Sequence, residues 1–128
     1  MIERILQEIQ PLQNKYGALE CGPNAEWILF KEFKLPPGWD REVTELLIII
    51  PPGYPSTPPD NFFVPMGFKL ASGAQVANYT EGPMYLEKQW GQFSYHIDGD
   101  WHPAADILGG DNLLSFTIKV LDRLKELN

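Results

Sequence analysis

Both ends of the chain carry apolar residues at helical spacing, and the stretch between them reads as strands. Ile2, Ile5, Leu6, Ile9 and Leu12 recur at three- and four-residue steps among Glu3, Arg4, Gln7 and Glu8. That is one face of an amphipathic helix, which Pro11 is expected to end or bend and Gly17 to stop. Ala18 to Cys21 is at most a short edge strand, followed by a turn at Gly22-Pro23-Asn24. Trp27 to Lys34 reads as a strand with Leu29, Lys31 and Phe33 on one side and Ile28, Phe30 and Glu32 on the other. Pro36-Pro37-Gly38 closes it, and Trp39 to Val43 is a polar loop. Leu46 to Ile50 is an apolar, mostly branched run too short for a helix, as in a buried strand. Asn61 to Val64 is the next strand, and Pro65 to Gln92 reads as irregular loops with room for short strands. Asp111 is the N-cap candidate of a last helix with the stripe Leu113, Phe116, Val120, Leu124 and Leu127, flanked by Leu114, Ile118 and Leu121. Lys119, Arg123 and Lys125 lie toward its C-terminal end, where the helix dipole favours cations. Short connections make this an α+β domain: an N-terminal helix, an antiparallel meander and a C-terminal helix.

Pro51, Pro52, Gly53, Pro55, Pro58 and Pro59 interrupt the strands. Each proline fixes φ and removes an N–H, so neither helix nor ladder continues, and the segment is a rigid, specifically shaped corner. Tyr54 within it is expected to be buried, with its hydroxyl bonded to backbone or a nearby side chain.

Composition narrows the function. The 128 residues fit one domain, residues 1–128. A hydrophobic content of 44% with 12% aromatics supports a folded core. A formal net charge of −7 disfavours nucleic acid and anionic membrane as partners and favours a basic protein surface. No apolar run approaches the ~20 residues that cross a bilayer. Met1-Ile2-Glu3-Arg4 begins a mixed-charge helix and not a signal peptide. The single cysteine, Cys21, allows no intramolecular disulfide and suits a reducing compartment, so a cytoplasmic location is expected. No Gly-rich phosphate loop and no metal-ligand spacing occurs, so no cofactor is expected.

Pro51-x-x-Tyr54-Pro55-x-x-Pro58-Pro59 between two strands resembles the YPxxPP corner of the ubiquitin-conjugating enzyme (E2/UBC) superfamily and its E2-variant and RWD relatives. Leu35-Pro36-x-Gly38, Ile50 to Pro55, Pro59-Asp60-Asn61-Phe62, Trp90-x-Gln92-Phe93-Ser94-x-His96 and Trp101-x-Pro103 narrow the resemblance to prokaryotic E2 family E. The resemblance spans nearly the whole chain in one order. It implies a UBC-like fold with a proline-rich corner and a long active-site-region loop. It further implies a role in a bacterial ubiquitin-like conjugation pathway, accepting a ubiquitin-like modifier from an E1-like enzyme and passing it on, with antiviral defence as its setting. The partners it implies are an E1-like adenylating enzyme, a ubiquitin-like protein and, in the same pathway, a metal-dependent deubiquitinase. By the same carry-over the outer face of the first helix, with Arg4, Gln7 and Glu8, meets the E1-like enzyme, and Ser56 and Thr57 on the corner are further partner contacts.

An E2 carrier needs a thiolate to accept an activated C-terminus and pass it to an amine. The flanking motifs place that thiol between about Gln75 and Ser94, and the window holds no cysteine. Cys21 comes too early in the order of elements and reads as a small, partly buried apolar residue. Two explanations stand side by side. The chain is a non-catalytic interaction module like an E2 variant or RWD domain, or its nucleophile has been replaced, at Ala77, Lys88 or Ser94. The His-Pro-Asn tripeptide of the superfamily is also absent.

The remaining chemistry lies in Ser94-x-His96-x-Asp98-x-Asp100-Trp101-His102. Its histidines and carboxylates carry no zinc-ligand spacing. A capping or hydrogen-bonding role is one reading, and a small hydrolase using Ser94 and His96 is another. In the third, His96 lines the carrier site as a donor to a developing oxyanion, Asp98 or Asp100 orients the incoming amine, and His102 lies nearby. Trp101 and Pro103 are expected to brace this loop against the last helix.

Overall fold

The computed structural model describes residues 2–97 and 99–127. Among these the elements are α1 (Ile2–Tyr16), β1 (Leu19–Cys21), β2 (Trp27–Lys34), β3 (Val43–Ile49), β4 (Phe62–Pro65), β5 (Tyr79–Tyr85), β6 (Lys88–Phe93) and α2 (Leu113–Lys125). The strands form one six-stranded sheet in the order β1-β2-β3-β4-β6-β5, and every neighbouring pair is antiparallel. Both helices cover one face. There Ile5 and Leu12 of α1 and Phe116, Val120 and Leu124 of α2 join Phe30, Leu46, Ile48, Phe62, Val64 and Phe93 in the main core. The opposite face carries a smaller cluster of Leu29, Leu47, Phe63 and Trp90. This explains the unbroken apolar run of β3: Leu46 and Ile48 face the helices, Leu47 the second cluster, so the strand is covered on both sides. Among the described residues no helix is long and apolar enough to cross a membrane.

Several local expectations are corrected. Pro11 does not end α1, which runs on to Tyr16. The bond it removes is the one to the carbonyl of Gln7, on the exposed side, where water can serve that oxygen. The buried stripe of α1 is Ile5, Glu8 and Leu12, while Ile2 and Leu6 stay at the surface. In β2 a register shift between Phe30 and Phe33 moves Phe33 onto the helix face, its ring 5.8 Å from that of Phe30. Simple alternation had paired Phe33 with Leu29 instead. Trp39 is no loop residue in character. It is buried, its ring centroid 4.6 Å from that of Phe68 in a tilted contact, and its Nε1 donates to the Leu124 carbonyl at 3.0 Å. Gly38 beside it has φ 114°, and a Cβ there would come within 2.3 Å of Leu127 Cδ1, so only glycine fits.

The stretch expected to be irregular folds, from Tyr79 onward, into the β5–β6 hairpin. Its turn residues, Leu86 and Glu87, have φ of 53° and 62°. Both central residues of this turn are left-handed, a conformation that Asn and Gly normally supply. Helix α2 is capped by Asn112, not Asp111. The Asn112 side chain accepts the Ser115 N–H at 2.8 Å, and Ser115 Oγ accepts the Asn112 N–H at 2.9 Å, a reciprocal capping box. Asp111 instead accepts from the Ser115 hydroxyl and from the His102 N–H. Leu127 lies beyond the end of α2.

Candidate functional site

The proline corner is fixed from beneath by a buried carboxylate. Tyr54 is 2% exposed, precedes a cis peptide to Pro55, and donates its hydroxyl to the two oxygens of Glu8 at 2.7 and 2.8 Å. Glu8 also accepts the Leu113 N–H at 2.6 Å and Arg4 Nε at 2.9 Å. Leu113 is the first residue of α2, so the carboxylate satisfies an orphan N–H and lies at the positive end of the helix dipole. These bonds explain how Glu8 is tolerated at 2% exposure. The Arg4 guanidinium continues inward to the Ala104 carbonyl. Arg4 and Glu8 therefore face the interior and not the outer side of α1, where only Gln7 of the three is exposed. Burial, then the hydrogen bond and negative charge of Glu8, push the Tyr54 phenol far above its ordinary value. Trp101 Nε1 donates to the Pro55 carbonyl at 2.6 Å, so the tryptophan braces its loop on the corner.

The corner ends where two chain segments meet. Phe62 pairs with Phe93 at the end of the β4–β6 ladder. One step on, Asn61 has φ 62°, a conformation asparagine tolerates. Its N–H donates to the Tyr95 carbonyl at 2.8 Å, and its Oδ1 accepts the Tyr95 N–H at 3.0 Å. This two-way clamp sets the residues on either side next to each other: Asp60 before Asn61 and His96 after Tyr95. His96 Nδ1 bonds the Asp60 carboxylate. Tyr95 packs its ring on Phe62 and Phe116, and Ile97 is buried, so the flanking residues are anchored and His96 is turned out between them. Thr57, Pro58, Pro59 and Ile97 complete a cavity of about 240 Å³ around the pair.

Of the residues singled out in the sequence, His96 and Thr57 meet here, and Asp60 is the member that sequence reasoning missed. Its only signal was its place directly after Pro59. Ser94 is exposed two residues before His96, its N–H bonded to the Asn78 carbonyl at 2.9 Å. Ala77, next to Asn78, has its carbonyl held by Arg123 Nη2 at 2.9 Å. Ala77 and Ser94 thus lie at the same end of the hairpin. Lys88 does not join them. It starts β6, six residues from Ser94 and roughly 20 Å away along an extended chain, paired with Glu45 at 2.8 Å and over the Trp90 ring. His102 is held by its backbone, and its side chain is exposed. Asp98 lies outside the described residues. Ser56 is exposed on the corner. Cys21 sits half-buried on β1, and β5 forms the opposite edge of the sheet. Strand spacing puts on the order of 20 Å between it and the hairpin.

A larger cavity, about 620 Å³, runs along β5 beside Phe68, Lys69, Val76 and Tyr79. Its carboxylate and phenol are already engaged. Glu81 accepts from the Gly67 N–H and the Tyr79 hydroxyl. The first of these bonds holds its carboxyl below the usual range, and burial with Glu81 pushes the Tyr79 phenol up. Among the described residues no group of three or more His, Cys, Asp and Glu is placed to hold a metal ion.

A helix, an antiparallel sheet whose β1–β4 meander is broken by a proline corner and continued by the β5–β6 hairpin with β6 innermost, and a closing helix define an α+β UBC-like fold. The family model Prokaryotic E2 family E matches residues 8–126, and the chain belongs to that family. It is therefore an E2-like protein of a conjugation pathway; proteins of the E2 family interact in general with a ubiquitin-like modifier and an E1-like enzyme. Comparison with curated proteins and with solved structures returned no match.

Proposed function

We propose that this chain acts in ubiquitin-like conjugation as an E2-like interaction module, one that engages the E1-like enzyme and the modifier without forming a thioester of its own. One observation carries this reading. The stretch where an E2 would hold its thiol is folded into the β5–β6 hairpin and has no cysteine, and Cys21 is half-buried near the far edge of the sheet. The surfaces left for partners are the outer side of α1 at Gln7 and the corner at Ser56 and Thr57, all exposed. The pathway fits a bacterial setting with a metal-dependent deubiquitinase and a role in antiviral defence. The test mixes the protein with an E1-like adenylating enzyme, a ubiquitin-like modifier and ATP. Calorimetry should register binding, while intact-mass spectra show no modifier added to this chain. A thiol-reducible adduct would overturn the reading.

The Asp60–His96 pair favours a second reading: a carrier that accepts the modifier and passes it on through a group other than a thiolate. Its signature is an adduct on this chain that resists thiols and is cleaved by hydroxylamine.

A further inference from the structure

Asp60 and His96 are more exposed than any pair kept for stability needs to be, at 64% and 54% of their side chains. An exposed pair contributes little to folding even when both groups are charged. Yet the fold holds this one through a left-handed asparagine clamp, two rigid prolines, the half-buried Tyr95 packed on the core and the buried Ile97. A carboxylate only accepts hydrogen bonds, so the imidazole nitrogen facing it, Nδ1, must be the donor. The neutral ring then offers Nε2 as its acceptor, the arrangement of a general base held by an acid. The cavity of about 240 Å³ is smaller than the ~300–1,000 Å³ of ordinary small-molecule sites. It suits the end of a lysine side chain or a short acyl tail. The carboxylate beside it and the formal net charge of −7 attract a cationic amine.

We propose that Asp60 and His96 form an acid–base dyad that promotes transfer of an acyl group from a thioester held on a partner enzyme to an amine. This deepens the module reading above and rests on it, since the thioester is the partner's. The amine first gives its ammonium proton to solvent; the neutral nitrogen then attacks the thioester carbonyl carbon, a carbon–nitrogen bond forms, and the carbon–sulfur bond breaks. The partner's sulfur leaves as a thiolate. The proton shed by the amine passes to His96 Nε2, while Nδ1–H stays bonded to Asp60, and Nε2 then returns the proton to the thiolate. Nothing is oxidised or reduced. His96 is the catalytic residue and Asp60 the positioning residue.

The test uses the whole protein with two small probes, the thioester of acetylglycine with 2-mercaptoethanesulfonate and free Nα-acetyl-lysine, and follows thiol release. A fully positioned general base contributes about 10²–10⁴-fold, so for an unanchored probe the expected gain over equimolar imidazole is about ten-fold. His96→Ala and His96→Gln should lose the gain, and Asp60→Asn should lose most of it, with melting temperatures unchanged because both side chains are largely exposed. Ring ¹⁵N spectra of His96 should show the Nδ1–H tautomer in the parent and lose that preference in Asp60→Asn in step with the rate gain; a rate gain kept while the preference is lost would mark Asp60 as merely structural. A rate equal to the imidazole control, an undiminished His96→Ala, or an acyl adduct on the His96 ring would each overturn the proposal. Inactive probes with intact partner binding sink the dyad alone. A reducible modifier adduct on this chain sinks the module reading and leaves the probe result standing.

Discussion

Replacing Tyr54 by phenylalanine isolates one bond in the network beneath the corner. The ring remains, with Trp101 at 6.1 Å and the Arg4 guanidinium at 6.0 Å. Only the hydroxyl goes, leaving the Glu8 carboxylate with Leu113 N–H and Arg4 as donors. A hydrogen bond to a charged group contributes about 1.5–3 kcal/mol, and Glu8 at 2% exposure is out of reach of solvent screening. For a chain of this length about 4 °C of melting temperature accompanies each kcal/mol, so Tyr54→Phe should melt about 6–12 °C lower at neutral pH. Tyr54→Ala, which also deletes the ring, should cost about 3–5 kcal/mol.

The same network fixes a pH dependence. The Tyr54 phenol is raised from 10.0 in the fold, by burial first and by Glu8 second. Below the unfolded value both states are neutral and the stabilisation is complete. Above it the unfolded chain ionises and the folded one does not, so each pH unit removes about 1.4 kcal/mol. Tyr16, Tyr79 and Tyr95 are also raised, so parent and variant both weaken in alkali. Their difference reports Tyr54 alone. Urea unfolding followed by tryptophan fluorescence should find the parent more stable at pH 8, with the gap reduced by about 1.4 kcal/mol at pH 11. An equal gap at both pH values, or no gap at pH 8, would refute the reasoning.

Asn112→Ala removes the N-cap of α2 and should lower stability by about 1 kcal/mol in a thermal melt, since the Ser115 N–H loses its acceptor. Replacing Leu86-Glu87 by Asn-Gly relieves two left-handed side-chain residues and should raise stability by about 1 kcal/mol, read by urea midpoint. Cys21→Ser should leave partner binding and the adduct pattern unchanged; loss of a reducible adduct in this variant would show that Cys21 carries the modifier after all.

These residues also show what the sequence could and could not say. The proline corner was legible because proline acts locally: Pro51 to Pro59 forbid helix and ladder whatever surrounds them. Helix α2 was legible because its stripe is long and periodic. The hairpin was hidden because its turn uses Leu86 and Glu87, whose left-handed backbone no propensity announces. Phe33 was assigned to the wrong face because a register shift between Phe30 and Phe33 breaks the two-residue period, and nothing in Lys31-Glu32 marks it. Glu8 was read as surface because carboxylates normally are. Its partners are far along the chain, at Tyr54 and Leu113, and only the folded arrangement supplies them.

The Asp60–His96 pair was out of reach for a topological reason. The two residues are 36 apart, and the hairpin between them enters the sheet in inverted order, with β6 inside against β4 and β5 outside. Had the strands followed chain order as antiparallel neighbours, β5 would lie against β4 and a residue near Leu86, at its C-terminal end, would face the corner. Because β6 takes the inner place, the segment after Phe93 runs back along Asn61, and an imidazole meets the carboxylate there. Local patterning decides which residues are strands, and pairing order decides which strand ends share a site. The first is written in the spacing of apolar residues. The second depends on the fit of Phe62, Val64 and Phe93 beneath the helices, where Phe62 and Phe93 stack at 4.8 Å. A packing choice in the core thus determines which side chain stands at the mouth of the candidate site.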